Sequence, residues 1–301
     1  MKNAINYYYD LYPINVYQNE KVCKFSLNNV DYCLLQYNYD EKKLNNIFEI
    51  HNIVRKYNIY CHEIIKNKYQ ELITSITNKN YVLLKLSKFN DEKLTVNSLL
   101  YYPYATSVLH LERFNTWNNW RNLWIERVDY FEYQVLNFKK KYPVIQKTSS
   151  YYIGMAETAI QLLLGLEVEP ELCISHRRIK KEYTLFDLYN PLEFIIDYKV
   201  RDVAEYFKEQ FFYDKIELED ITYYIDNHLF DNSQALLFFS RLLYPSYYFD
   251  VCNDIIYKNI DEKNIYEIIS KISDYEQFLK NIFYSLKSKF EIPEIEWIKK
   301  S

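Results

Sequence analysis

Only two of the 301 residues are glycine, Gly154 and Gly165. Glycine is the residue that takes positive φ without a steric cost and lets a backbone approach a ligand closely. A chain with so few cannot build a glycine-rich phosphate cradle, nor a Gly-x-Ser-x-Gly nucleophile turn. Tight turns must fall to asparagine, which tolerates the left-handed region. The first half has one such turn: Val22 to Leu27 and Val30 to Tyr37 flank Asn28-Asn29, which reads as a two-residue hairpin loop. In that register Cys23, Phe25, Leu27, Val30, Tyr32 and Leu34 share one face, and Cys33 lies on the other.

The apolar pattern then changes period. Leu44, Ile47, Phe48, His51 and Val54 recur at helical spacing between Glu41 and Tyr57. Strands follow near Gln70–Ile76 and Tyr81–Leu86, and a polar connector runs from Ser87 to Lys93. Beyond it the chain reads as helical. Thr116 is placed to cap a helix whose stripe carries Trp117, Trp120, Trp124, Val128, Phe131 and Phe138. A second helix spans Ser150–Leu164, with Gly165 suited to a left-handed cap. Further helices cover about Arg201–Tyr213, Ser233–Tyr244, Ser246–Tyr257 and Asp274–Lys287. The expected class is α+β. Residues 1–90 form a small lobe of β-hairpins plus one helix, and residues 91–301 a larger helical lobe. A two-lobed kinase-like fold is one architecture of this kind.

Charge and composition exclude several functions. The formal net charge of −4 and pI of about 5.9 do not suit a nucleic-acid or anionic-membrane surface. The Lys139-Lys140-Lys141 run reads as a solvated helix face. No apolar stretch approaches the ~20 residues needed to cross a bilayer, and Met1–Tyr12 lacks the apolar core of a signal peptide. A cytoplasmic protein is expected. The five cysteines, Cys23, Cys33, Cys61, Cys173 and Cys252, are odd in number and hold no Cys-x-x-Cys pair, so buried free thiols are expected. His51, His62, His110, His176 and His228 form no metal-ligand spacing. The 34 tyrosines fit the codon bias of an AT-rich genome, and the sharper alternative is surface tyrosines that support protein contact or oxidative cross-linking.

Phosphoryl transfer needs a phosphate-gripping lysine on a strand, a helix glutamate to hold it, a catalytic-loop aspartate as base, and an asparagine and further aspartate for magnesium. Gln36 stands where the strand lysine would be, and Glu49 reads as an exposed helix residue. The catalytic-loop position falls at His176-Arg177-Arg178-Ile179. Kinases of the aminoglycoside and choline type carry His-Gly-Asp there, with Asn five residues after the Asp, so Arg178 takes the base position and Tyr183 the asparagine position. Arginine stays protonated and cannot act as a base. Asp197, after the apolar Phe194-Ile195-Ile196, fits the magnesium aspartate, but one carboxylate is a weak metal site, and a structural role is an equal reading. Arg201, Asp202 and Glu205 open a helix and read as a buried structural network near this remnant site, with Asp202 a candidate hydrogen-bond partner for the loop.

Several segments in order resemble the YutH-like spore coat family. They include Trp120-x-x-Leu123-Trp124-x-x-Arg127, then Tyr151 to Glu157 continuing into Ala159-Ile160-Gln161, His176-Arg177-Arg178-Ile179, and Asp197 with Arg201-Asp202-Val203-Ala204-Glu205-Tyr206. Arg241-Leu242-Leu243-Tyr244-Pro245, Tyr275-Glu276-x-Phe278-Leu279 and Ile292-Pro293-Glu294-Ile295-Glu296-Trp297 continue the match. Residues 1–115 share only the general layout. Thr158, Ser175, Arg177 and Tyr198 depart from that family's pattern. The resemblance implies an aminoglycoside phosphotransferase-like kinase fold, related to the CotS group, and a sporulation or spore coat association. The expected function is that of a pseudokinase: no catalytic residues, no metal or cofactor, and coat or sporulation proteins as partners. The alternatives are an active phosphotransferase using ATP and magnesium, or a module that binds a nucleotide or metabolite without turnover.

Overall fold

The computed structural model describes residues 1–19, 22–87, 91–114, 120–138, 141–166 and 171–300. Thr116, Trp117, Lys139 and Lys140 lie outside the described residues. The N-terminal elements are helix α1 (Lys2–Tyr9), strands β1 (Tyr17–Gln18), β2 (Val22–Leu27) and β3 (Val30–Gln36), helix α2 (Glu41–Lys56), and strands β4 (Glu63–Ile65), β5 (Thr74–Ile76) and β6 (Lys79–Lys85). Helices α3 (Val96–Leu99), α4 (Tyr101–Thr106), α5 (Trp120–Asn137) and α6 (Pro143–Leu162) follow. Strand β7 (Leu172–His176), helix α7 (Leu185–Leu188) and strand β8 (Phe194–Tyr198) come next. The chain closes with α8 (Arg201–Tyr213), α9 (Leu218–His228), α10 (Asn232–Leu243), α11 (Ser246–Lys258), α12 (Lys263–Ser270), α13 (Ile272–Lys287) and α14 (Glu296–Lys300).

These elements divide into two compact units. One comprises residues 1–114, 173–178 and 182–196, and the other residues 115–172, 179–181 and 197–301. The first unit is built on an antiparallel sheet of order β1-β2-β3-β6-β4, with β5 paired to β6. Period-two alternation sorts its side chains. Cys23, Phe25, Leu34, Tyr81 and Leu83 pack on one face with Ile5 of α1. Cys33, Val82 and Leu84 pack on the other with Leu44 and Ile47 of α2. Cys23 pairs with Leu34 and Cys33 with Lys24, so the two thiols point to opposite faces as expected. All five cysteines are free and buried.

The scarcity of glycine shows in the turns. Nine described residues have positive φ, none of them glycine, and asparagine supplies five: Asn28, Asn29, Asn58, Asn78 and Asn259. The β2–β3 turn uses Asn28 and Asn29 at φ 52° and 60°. The β5–β6 turn uses Thr77 and Asn78 at φ 47° and 61°. A β-branched residue there is strained. Thr77 is exposed, so Thr77→Gly is expected to stabilise the protein by about 1 kcal/mol, read as a higher urea midpoint. An unchanged or lower midpoint refutes the strain.

Helix α2 starts at Asp40, whose carboxylate accepts the Lys43 N–H at 2.7 Å. Helix α6 begins at Pro143, earlier than the apolar pattern suggested, because proline presets the first helical φ. The left-handed cap expected at Gly165 is not formed. The helix tightens into a 3-10 turn over Leu163–Gly165 and leaves through extended Leu166. A Cβ at Gly165 would make only an ordinary contact, 3.4 Å from Leu236 Cδ1 of α10. In α5 the expected stripe is buried at Trp120, Trp124, Val128 and Phe131. Among the described residues no helix is long and apolar enough to cross a membrane.

Candidate functional site

A strand lysine and a helix glutamate would meet on the face of the sheet that carries α2. On β3 this face presents Cys33 and Leu35, and just past the strand Tyr37, which share the cluster that holds α2 and β6 residues. Gln36, taken from sequence as the lysine position, pairs with Tyr81 and so belongs to the opposite face, where its amide donates to Asn38 Oδ1 at 2.9 Å. Glu49 is exposed, as expected. Lys24 on β2 does face the α2 side, opposite Cys33, and its ammonium sits 5.0 Å from the Phe186 ring centroid.

Phe186 belongs to a segment that sequence reasoning passed over. Thr184 and Asp187 form a reciprocal capping box that starts the short helix α7. The Thr-x-x-Asp spacing was the available signal. Phe186 and Leu192 pack on the α2-facing core of the sheet with Cys33, Leu84 and Ile64. The segment is tied down on both sides. Leu185 N–H donates to Glu92 O at 3.0 Å, and His62 N–H donates to Tyr189 O at 2.9 Å. The His62 ring is buried, with Nε2 3.1 Å from Phe186 O and Nδ1 3.2 Å from Ser87 Oγ. A carbonyl only accepts, so Nε2 carries the proton and Nδ1 accepts. Burial lowers the His62 pKa to about 4, against the help of the Phe186 carbonyl.

The catalytic-loop segment leaves β7 in this same unit. His176 is buried, with Nε2 2.8 Å from Leu188 O, so it too holds α7. Arg177 N–H donates to Glu193 O at 3.1 Å, and its guanidinium lies 3.9 Å from the centroid of the Tyr39 ring. Arg178, expected from sequence at the base position, is half-buried. Tyr183, expected from sequence at the asparagine position, is half-buried, and burial pushes its phenol up.

Asp197 lies in the second unit, inside β8. Its Oδ1 accepts from Trp120 Nε1 at 2.8 Å and from Tyr198 N–H at 2.8 Å, and its Oδ2 accepts from Arg201 at 2.8 Å. Three of roughly four acceptor sites on the carboxylate are taken. Trp120 stacks on Trp124 at 5.3 Å, and Trp124 on Tyr244 at 4.2 Å, an i, i+4 tryptophan pair whose spacing the helix dictates. One turn along α8, Glu205 binds Arg241 at 2.7 Å and Lys208 at 2.7 Å. Lys208 also donates to Ser246 Oγ at 2.9 Å. Burial alone would raise the Glu205 pKa, but Arg241, Lys208 and Arg201 together hold it well below the usual range. Burial and Arg241 lower the Arg201 pKa, against Asp197, Glu205 and Asp202. Asp202 is buried in the first turn of α8. Among the described residues no three His, Cys, Asp or Glu side chains converge as a metal site would require.

The two units and their elements match solved kinase-fold structures. An aminoglycoside phosphotransferase from Alicyclobacillus acidocaldarius superposes with a TM-score of 0.68 at 9% identity, over 96% of this chain and 97% of that one. Spectinomycin phosphotransferase APH(9)-Ia bound to ADP and spectinomycin superposes with a TM-score of 0.56 at 11% identity, over 100% and 96%. The fold is therefore that of the aminoglycoside phosphotransferase-like kinases, a small antiparallel-sheet lobe with a helical lobe. The family model described as spore coat putative kinase YutH matches residues 2–282, and the chain belongs to that family. The endospore coat-associated protein YutH of Bacillus subtilis is 24% identical over 277 residues, covering 80% of each chain.

Proposed function

We propose that this protein uses the kinase fold as a frame for protein contacts in the spore coat and does not transfer phosphoryl groups. The observation that carries the reading is the occupied α2-facing surface of the N-terminal sheet. Cys33 and Leu35 of β3 and the following Tyr37 fill it, and the chain's own Phe186 and Leu192 pack over it. A nucleotide gripped from that face would have to displace a segment held by His62, His176 and the Glu92 carbonyl. Magnesium-nucleotide also finds a poor fit at Asp197, whose oxygens already serve Trp120, Tyr198 and Arg201. Arg178 adds positive charge where a base is required. The coat assignment rests on family membership and on the coat-associated relative.

A thermal melt with millimolar ATP and magnesium is the direct test. No shift in Tm is expected at any nucleotide concentration. Ligand at ~100 times its Kd would stabilise the native state by ~2.7 kcal/mol, which raises Tm by several degrees in a chain of this size. Such a shift, abolished in Asp197→Ala, would establish nucleotide binding and overturn the proposal.

A further inference from the structure

The tyrosines supply a feature that neither the fold nor the kinase remnant uses. Tyr130 on α5 and Tyr257 on α11 stand with their phenol oxygens 3.1 Å apart, although 127 residues separate them in sequence. Tyr7 on α1 and Tyr69, before β5, make a second such pair at 2.9 Å across 62 residues. All four rings are at least half exposed, at 50% and 68% for the first pair and 55% and 53% for the second. We propose that these two surface phenol pairs are built-in sites of intramolecular dityrosine cross-linking, with Tyr130–Tyr257 the more reactive. This inference is independent of whether the protein binds nucleotide.

The chemistry needs a one-electron oxidant, such as a peroxidase supplied with hydrogen peroxide. Each phenol gives up one electron and its hydroxyl proton to become a neutral phenoxyl radical. The two radicals couple through a bond between ring carbons ortho to the oxygens, and the two ring hydrogens return to the oxygens as the rings regain aromaticity. Two hydrogen atoms are lost in all, and one peroxide becomes two waters. Exposure admits the oxidant. The hydrogen bond holds the second phenol beside the first, so coupling inside the pair competes against diffusion with the advantage of a high effective concentration.

The pairs differ in two respects. Tyr130 and Tyr257 sit on long helices joined by a further contact, Arg127 with Asp250. Over Tyr7 lies the Lys68 ammonium, 3.5 Å from the ring centroid, and the same ammonium is 5.3 Å from the centroid of Tyr69. A cation at a ring face favours its electron-rich ground state and opposes loss of an electron. That places the Tyr7–Tyr69 pair second.

The test treats dilute full-length protein with peroxidase and hydrogen peroxide, then digests it and identifies cross-linked peptides by mass. The peptide joining Tyr130 and Tyr257 is expected first, and the peptide joining Tyr7 and Tyr69 after it. Together they should exceed links among other exposed tyrosines, such as Tyr12, Tyr17 and Tyr266, by about tenfold or more. Tyr257→Phe should abolish the first link and leave the second. Tyr69→Phe should do the reverse, and Lys68→Gln should hasten the second. The same treatment in strong denaturant should erase the preference. Links spread evenly over exposed tyrosines, links only between molecules, or equal yields in folded and denatured protein would each overturn the proposal.

Discussion

Glu205→Ala is expected to lower stability by about 3–5 kcal/mol, because it strands buried positive charges. Arg241 and Lys208 both bind the lost carboxylate at 2.7 Å, and Arg241 is otherwise packed over Trp120 at 4.9 Å from the ring centroid. The loss is a large share of the ~5–15 kcal/mol that keeps a domain folded. Chemical denaturation reads it as a fall in the midpoint. Glu205→Gln keeps the shape and one acceptor, so it should lose less than alanine does. Replacing Arg241 by methionine in the alanine background should recover part of the loss, since an uncompensated charge is then removed. A cost under about 1 kcal/mol for Glu205→Ala would mean that water reaches these cations and that the network is not buried in solution.

Acid is expected to destabilise the N-terminal unit well above the carboxylate range. Burial lowers both His51 and His62 to about 4, from an ordinary value of 6.5. His51 accepts the Ile64 N–H at Nε2, so a proton there would set two donors face to face. Between pH 6.5 and 4 the unfolded chain binds a proton at each histidine and the native state does not. Stability is therefore full above pH 6.5 and falls as pH drops, by about 3 kcal/mol per histidine at the lower limit. Glu205, held low by its cations, adds a loss of the same sign below the ordinary glutamate range. Denaturation midpoints between pH 7 and 4.5 test this. His62→Gln, whose amide can donate to the Phe186 carbonyl, should flatten the slope by roughly half. A pH-independent midpoint over that range would show that both rings already titrate normally in the native protein.

How much of this was legible beforehand depends on whether a signal was local. The Asn28-Asn29 hairpin, the α2 stripe and the tryptophan stripe of α5 follow from short-range periodicity and turn chemistry, and they stand where the residues placed them. Strand β4 and helices α1, α7, α9 and α12 are among the elements left out of the local reading. β4 is only three residues long, and its place is set by pairing with β6 rather than by any pattern of its own. Thr77 hid the second hairpin because a β-branched residue at positive φ is not a turn signal. Gly165 suggested a left-handed cap on residue type alone, whereas the chain leaves α6 through a 3-10 turn.

The candidate site divides in the same way. Composition by itself ruled out a glycine-rich phosphate loop, and comparison with the His-Gly-Asp motif of aminoglycoside and choline kinases suggested Arg178 and Tyr183 for the base and asparagine positions. The Trp120 partner of Asp197 was beyond it, because Trp120 lies 77 residues away in sequence. Alternation from the Asn28-Asn29 hairpin put Gln36 on the Leu34 face, but which face carries α2 was set by packing. The cover of Phe186 and Leu192 over the α2 face was likewise decided by tertiary structure. What the sequence determined was the local conformational menu and the residue types at each position, because those depend on near neighbours. Which side chains meet, and so which polar groups are already satisfied, was set by contacts that only the folded chain closes.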